Sequence, residues 1–577
     1  MTTRAVAITP SPALAADGVA SAPTAARRLR ILFLVSAHNS LSQRTLVALT
    51  ELGHRVVVEV VGSGAAMEGA VARHRPELIV CPMLKTIIPE RIWTRHRCLI
   101  VHPGPPGDRG PSSLDWAIEL GAAEWGVTVL EASGEVDGGA IWAARTFRTR
   151  EAGKGSLYRH EVRRAAIEAV TEAVTAVAHG GRVPPPPDGR VLGRPRPPMR
   201  RHDRAIDWHR DAAAAVIRRI RAAEGHPGVP DTVAGTEFHL FGAHREEALR
   251  GFPGEIVAQR HGAVCRATVD GAVWITHLKR PGHFKLPAAR ALALAGHELA
   301  VPEVPAPIHP PALAGRTFRE IAYTERRGVG YLHFDFYNGA MSTDQCRRLL
   351  DAYRFAQGRP TRVIALMGGA DFFSNGIHLN VIEAAGDPAA ESWWNLHAID
   401  DVVRAVIETD THLVVSALTG DAAAGGVPFA LAADVAMARE DVVLNPYYRH
   451  MGGLYGSEYW TYLLPRRVGR ELTARLTAAP FEPVGARRAV ELGLLDAAFG
   501  ATAERFRAGV RRFAEQLAED AGTPARLADK RRARARDEAR KPLAAYRAEE
   551  LARSHECFFG ADRSYHEARR RFVHKLA

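Results

Sequence analysis

Cysteine is scarce in this chain: five among 577 residues, at positions 81, 98, 265, 346 and 557, and never paired as C-x-x-C. An odd, scattered set excludes a disulfide framework and a cysteine-built structural zinc site, so no metal is expected and the reducing cytoplasm is the expected location. Lysine is scarcer than its usual share, with seven residues, so arginine carries the formal charge of +12. No apolar run reaches the ~18 residues of a membrane helix, and no membrane partner is expected.

What is present argues for a long, folded chain. At roughly 100–200 residues per domain, this length predicts two to four domains, each with its own core. The 46% hydrophobic share, with 51 Gly and 36 Pro, excludes a collagen-like or wholly disordered chain. The basic excess gathers in Arg182–Arg204, a proline-rich connector, and in Lys530–Lys541, where acids are interleaved as on a solvated helix. Charge placed this way serves phosphorylated small ligands as well as RNA, and nucleic acid is not an expected partner.

The first 28 residues, rich in Ala, Thr, Ser and Pro, read as a disordered extension. Residues 29–195 alternate apolar runs (30–35, 56–61, 78–81) with helical spacing, the rhythm of a parallel α/β sheet. Residues 205–301 hold one helical stretch and short strands with Gly-bearing turns, which predict a compact barrel. A proline-rich linker over 302–327 leads into a second α/β region, 328–500, and 501–577 reads as a helical tail.

Two constellations carry chemistry. In the first, a strand ends at His102 and runs into HPGPPGDRGPSS (102–113); EVDGG (135–139) follows and supplies Asp137. Ligands of parallel α/β sheets bind beyond the carboxyl ends of strands, where a His and an Asp suit proton transfer. On spacing alone the same residues also suit a capping aspartate and a satisfied strand-end histidine. The motifs resemble the folate-dependent formyltransferases: His102, the loop Asp108–Gly110, Asp137, and the strand Gly126–Val129 before it. The following module resembles that family's C-terminal, OB-like barrel, with IDW (206–208), IRA (220–222) and HPG (226–228). The resemblance implies His102 and Asp137 as catalytic residues, 10-formyltetrahydrofolate as formyl donor, and cofactor contacts at Ser36, Asn39, Ser40, Cys81, Leu84, Gly107 and Arg109. The asparagine which that family places two residues before its histidine is Ile100 here.

In the second constellation, FFSNGIHL (372–379) sets a Ser-Asn-Gly turn before a helix, and GDAAAGG (420–426) does the same before Val427–Ala433. Two such turns can aim backbone N–H groups at one point, as an oxyanion hole requires; close strand–helix packing explains the glycines equally well. The pair resembles the crotonase (enoyl-CoA hydratase/isomerase) family. That resemblance implies a crotonase-like α/β fold, oxyanion donors at Asn375 and Gly425, and a coenzyme A thioester as ligand. Pro428 and the segment Asn445–Tyr448 stand where hydratases carry their two catalytic glutamates, so hydration is not expected. Tyr447, Tyr448 and Glu458 are then the candidates for proton handling; each tyrosine also reads as a packed aromatic.

Taken together, AHNS (37–40), the 102–110 loop, SNGIHLN (374–380), ESW (391–393) and GSEYWTY (456–462) resemble a family of hydrogenase maturation factors in which a formyltransferase-like part is fused to a crotonase-like part. The resemblance implies carbon monoxide production from the formyl group of 10-formyltetrahydrofolate by way of formyl-CoA. It also implies other maturation proteins or the hydrogenase large subunit as partners. Two alternatives stay open: a formyltransferase acting on a tRNA or nucleotide-sugar amine with an inert appendage, and a non-catalytic CoA-binding scaffold.

Overall fold

The computed structural model describes residues 27–181, 193–310, 315–478 and 483–576. The expected extension as far as residue 26, the proline run 184–187 and part of the 302–327 linker lie outside them. Two compact units divide the described residues: 27–281 together with Pro287–Glu303, and Gly282–Leu286 together with those from Val304 onward.

In the first unit, strands β1 (Arg30–Val35), β2 (Arg55–Val60), β3 (Leu78–Cys81), β4 (Cys98–His102), β5 (Glu124–Glu131) and β6 (Ile141–Arg148) form one sheet in the order β2-β1-β3-β4-β5-β6. The run from β2 to β4 is parallel, whereas β4-β5 and β5-β6 are antiparallel. The turn 132–140 between β5 and β6 is shorter than the crossover of about a dozen residues that a parallel neighbour needs. Strand β1 is apolar on both faces because both are covered. Ile31, Phe33 and Val35 pack with Val80, Val101 and helix Arg163–Ala178, while Leu32 and Leu34 pack with Met67 and Cys81 on the other side. Asn39 caps helix Ser40–Glu51 by accepting from the Ser42 N–H (3.0 Å), and Gly53 at φ +87° turns the chain after it.

The same unit continues with β7 (Val229–Val233), β8 (Thr236–Glu246), β9 (Ile256–Arg260), β10 (Ala263–Ala267) and β11 (Ala272–Lys279), and the two-residue β12 (Leu286–Pro287) falls where the units divide. Their path is β7-β8-β11-β10-β9, antiparallel, with β12 beside β11. The module expected as an OB-like barrel carries an antiparallel sheet accompanied by helices Ala213–Ala222 and Ala288–Leu294.

The second unit holds β13 (Ile321–Arg326), β14 (Val329–Phe334), β15 (Val363–Leu366), β16 (Phe372–Ser374), β17 (Leu413–Leu418), β18 (Asp421–Ala423), β19 (Val435–Ala438), β20 (Val443–Asn445), β21 (Val484–Gly485) and β22 (Ala497–Ala498). They divide between a six-stranded sheet, β13-β14-β15-β17-β19-β22, and a four-stranded one, β16-β18-β20-β21. Phe334, Phe373 and Phe429 stack into the core between sheet and helix, with ring centroids 5.2–5.7 Å apart. Helix Pro388–Glu408, begun by the Asp387 cap, and helix Leu543–Phe559 pack together on one side. Among the described residues no helix is long and apolar enough to cross a membrane.

Candidate active sites

His102 closes β4 and is buried, 4% exposed. Its Nε2 lies 2.8 Å from Asp108 Oδ2 and its Nδ1 3.4 Å from Asp137 Oδ2. Asp137 adopts a left-handed backbone (φ +52°), which turns its carboxylate to the 102–110 loop, where Oδ2 also accepts the Gly110 N–H at 3.1 Å. The loop is tight: a Cβ on Gly104 would lie 2.3 Å from Asp108 Oδ2 and 2.5 Å from His102 Nε2. The imidazole is therefore flanked by two carboxylates, of which Asp108 was visible in sequence only as part of the loop. Among the described residues Asp108 Oδ1 is buried without a hydrogen-bond partner, the kind of atom that a ligand donor satisfies.

The other expected contact residues gather at the carboxyl ends of β1, β3 and β4. The Ser36 N–H donates to Met83 O (2.8 Å) and its Oγ accepts the Lys85 N–H (2.9 Å), which ties the end of β1 to the segment holding Leu84. Cys81 pairs in register with Ile100, and with Leu84 both belong to one apolar cluster. Ile100 and His102, two apart on β4, point to one face, so the site has an apolar wall where a formyltransferase presents an amide. Burial pushes the Cys81 thiol up, which keeps it protonated and inert. The Asn39 side chain is engaged in its cap, and Ser40 Oγ accepts from the buried Arg163 at 3.1 Å. Gly107 turns at φ +86°, and Arg109 forms an ion pair with Glu135 across the loop.

At the second site, the turn after β16 meets the start of helix Gly426–Leu431. The Asn375 N–H, expected as an oxyanion donor, is spent on Gly339 O at 2.7 Å, and its side chain donates to Asn338 O at 2.7 Å. The Gly376 N–H donates to Ser374 Oγ (3.1 Å) and the His378 N–H to Asn395 Oδ1 (2.9 Å). Among the described hydrogen bonds the Ile377 N–H has no acceptor, and neither has that of Gly425. The amide left open in this turn is therefore that of Ile377 and not that of Asn375. A count of amide acceptors reveals this; residue types do not. The two turns are in contact, since a Cβ on Gly376 would lie 3.2 Å from Gly425 N.

Glu458 faces this point. It is 1% exposed, with Oε2 accepting from Tyr448 Oη (3.0 Å) and from the Ser457 N–H (3.1 Å). A Cβ on Gly425 would meet its Oε1 at 2.2 Å. Burial, with the Asp400 charge beside it, pushes the Glu458 carboxyl up to about 8, and burial with the Glu458 charge raises the Tyr448 phenol. The structure brings Tyr448 to Glu458 but not Tyr447, whose ring lies beside His450, centroids 6.1 Å apart. Pro428 is buried inside helix Gly426–Leu431, so no carboxylate rises from that position.

Known proteins match both parts. Residues 62–174 match the formyl transferase family model, 198–294 its C-terminal domain, and 327–577 the enoyl-CoA hydratase/isomerase model. Methionyl-tRNA formyltransferase of Burkholderia pseudomallei is 30% identical over 39% of this chain and 69% of its own. Hydrogenase maturation factor HoxX of Bradyrhizobium diazoefficiens is 49% identical over 95% of each chain. A crystal structure of HypX from Aquifex aeolicus in complex with tetrahydrofolic acid shares 43% identity and a TM-score of 0.91, covering 95% of this chain and 96% of that one. With a formyltransferase-like part and a crotonase-like part joined as in these relatives, the chain belongs to the HypX/HoxX family of hydrogenase maturation factors.

Proposed function

We propose that this chain makes carbon monoxide for hydrogenase maturation, passing a formyl group from 10-formyltetrahydrofolate to coenzyme A and releasing CO from formyl-CoA. The observation that carries the second half is Glu458, a buried carboxyl of raised proton affinity set against the Gly425 amide. A formyl thioester bears a C–H where longer acyl groups bear carbon. Glu458 takes that proton, the C–S bonding pair leaves with sulfur, and CO and thiolate separate; the proton then returns to the thiolate. The Ile377 and Gly425 N–H groups hold the carbonyl oxygen, and the Tyr448 hydroxyl fixes which carboxylate oxygen faces the substrate. With Pro428 and the Asn445–Tyr448 segment in the hydratase glutamate positions, the site lacks that pair for adding water.

The first half rests on His102 between Asp108 and Asp137, and on the folate complex of the Aquifex aeolicus relative. His102 accepts the thiol proton as sulfur attacks the formyl carbon, and delivers it to the departing folate nitrogen. Asp137 orients the ring, while the open Asp108 oxygen receives a donor from the substrate. The test supplies purified protein with both substrates and haemoglobin. Appearance of the carbonyl-haemoglobin band, dependent on coenzyme A, supports the reading; formylation of an amine acceptor without coenzyme A rejects it.

A further inference from the structure

Glu458 and Tyr459 are two consecutive non-glycine residues in the left-handed region, at φ +61° and +57°. Such residues are strained and persist where their surroundings over-determine them. Two buried carboxylates from different helices do so here. Asp400, on helix Pro388–Glu408, accepts the Glu458 N–H on Oδ1 at 2.8 Å. Glu550, on helix Leu543–Phe559, accepts the Tyr459 N–H on Oε2 at 2.9 Å and the Thr461 N–H on Oε1 at 2.8 Å. Ser457 Oγ lies 2.9 Å from Asp400 Oδ2 and 3.2 Å from Glu550 Oε2, so one hydroxyl proton joins the two. Both carboxylates are completely buried.

We propose that Asp400 and Glu550 are positioning residues that clasp the strained Ser457–Tyr459 backbone and, through the Asp400 charge, govern when the Glu458 carboxyl gives up its proton. This rests on the reading of Glu458 as the base for CO release. The groups facing the Glu458 carboxyl are Tyr448, Asp400, Glu550 and the Cys346 thiol. The cation in reach is Arg547, whose Nε is 3.5 Å from Asp400 Oδ2 and whose Nη1 is bound to Asp401 at 2.6 Å. Asp400 shares this guanidinium with Asp401, while Glu458 and Glu550 form no ion pair among the described residues, and the uncompensated negative charge holds the proton on Glu458. Burial, with the Asp401 charge added, pushes Asp400 up to about 7, and burial, with the Asp400 charge added, pushes Glu550 up to about 8. A packing role would need the side chains' shape; this role needs their charge and acceptor oxygens.

The test titrates Glu458 in the full chain by infrared spectroscopy, as the protonated-carboxyl band present in the parent and absent from its Glu458→Gln variant. Asp400→Asn keeps a carbonyl oxygen for the Glu458 N–H and removes the charge. It should lower the midpoint by about one unit or more, and the acid limb of CO release should move with it. Glu550→Gln, as a second variant should Asp400→Asn not fold, should shift the midpoint in the same direction. An unmoved midpoint in the folded variant overturns the proposal. Undiminished CO release by Glu458→Gln overturns the underlying reading instead, and the infrared midpoint still judges the clasp.

Discussion

Glu458 Oε1 lies so close to the Gly425 Cα that a Cβ on that glycine would stand 2.2 Å from it. The carboxyl cannot retreat, because its other oxygen is held by Tyr448 and by the Ser457 N–H. Glycine at 425 is thus required by the Glu458 carboxyl as well as by the amide it presents. Gly425→Ala should lower CO release by about 100-fold or more, the scale of losing an oxyanion donor. Formyl-CoA should still form and accumulate, which mass spectrometry of quenched reactions would reveal.

The two sites should fail separately. His102→Ala should lower formyl-CoA formation by ~10²–10⁴-fold, the range for an acid–base group, while formyl-CoA supplied from outside still yields CO. Glu458→Gln should do the reverse. Measuring both half-reactions on both variants checks the assignment.

Gly104 separates the two groups that a substituent would push apart. With a Cβ 2.3 Å from Asp108 Oδ2 and 2.5 Å from His102 Nε2, Gly104→Ala should break their hydrogen bond. Formyl transfer should fall by at least about tenfold, with CO release from supplied formyl-CoA unchanged.

The buried carboxyls set a pH dependence of stability. Asp400, Glu458 and Glu550 are pushed up to about 7, 8 and 8 in the folded chain, against ordinary carboxyl values near 4 when unfolded. The folded state therefore binds more protons than the unfolded one between about pH 4 and 8, and stability falls as pH rises through that window. Thermal melting should move to lower temperature from pH 5.5 to pH 8.5 in buffers of roughly equal ionic strength, with a smaller drop in Glu458→Gln. Catalysis should run the other way: CO release from supplied formyl-CoA should rise as pH passes about 8, because the base acts unprotonated.

Sequence pattern revealed much of this architecture. Continuous apolar runs marked the buried strands, and 78–81 is the strand Leu78–Cys81. Gly425 stood out by type and Gly104 only as part of the 102–113 loop, although only the structure shows what each approaches. The turn back of β5 and β6 was not legible, since a run of alternating residues does not record the direction of its neighbour. Nor was the role of Asp400 and Glu550, which lie 58 and 92 positions from Glu458 and reach its segment through two helices. Asn375 was misread for a related reason. Its amide looks available in the turn, but the long-range acceptor at Gly339 takes it and leaves Ile377.

The most direct measurement follows a carbon-13 label in the formyl group of 10-formyltetrahydrofolate through the parent protein and coenzyme A. The account predicts labelled CO in proportion to folate consumed, none without coenzyme A, and labelled formyl-CoA in its place with Glu458→Gln. Label recovered wholly as formate or as a formylated amine, with no labelled CO from the folded protein, would contradict it.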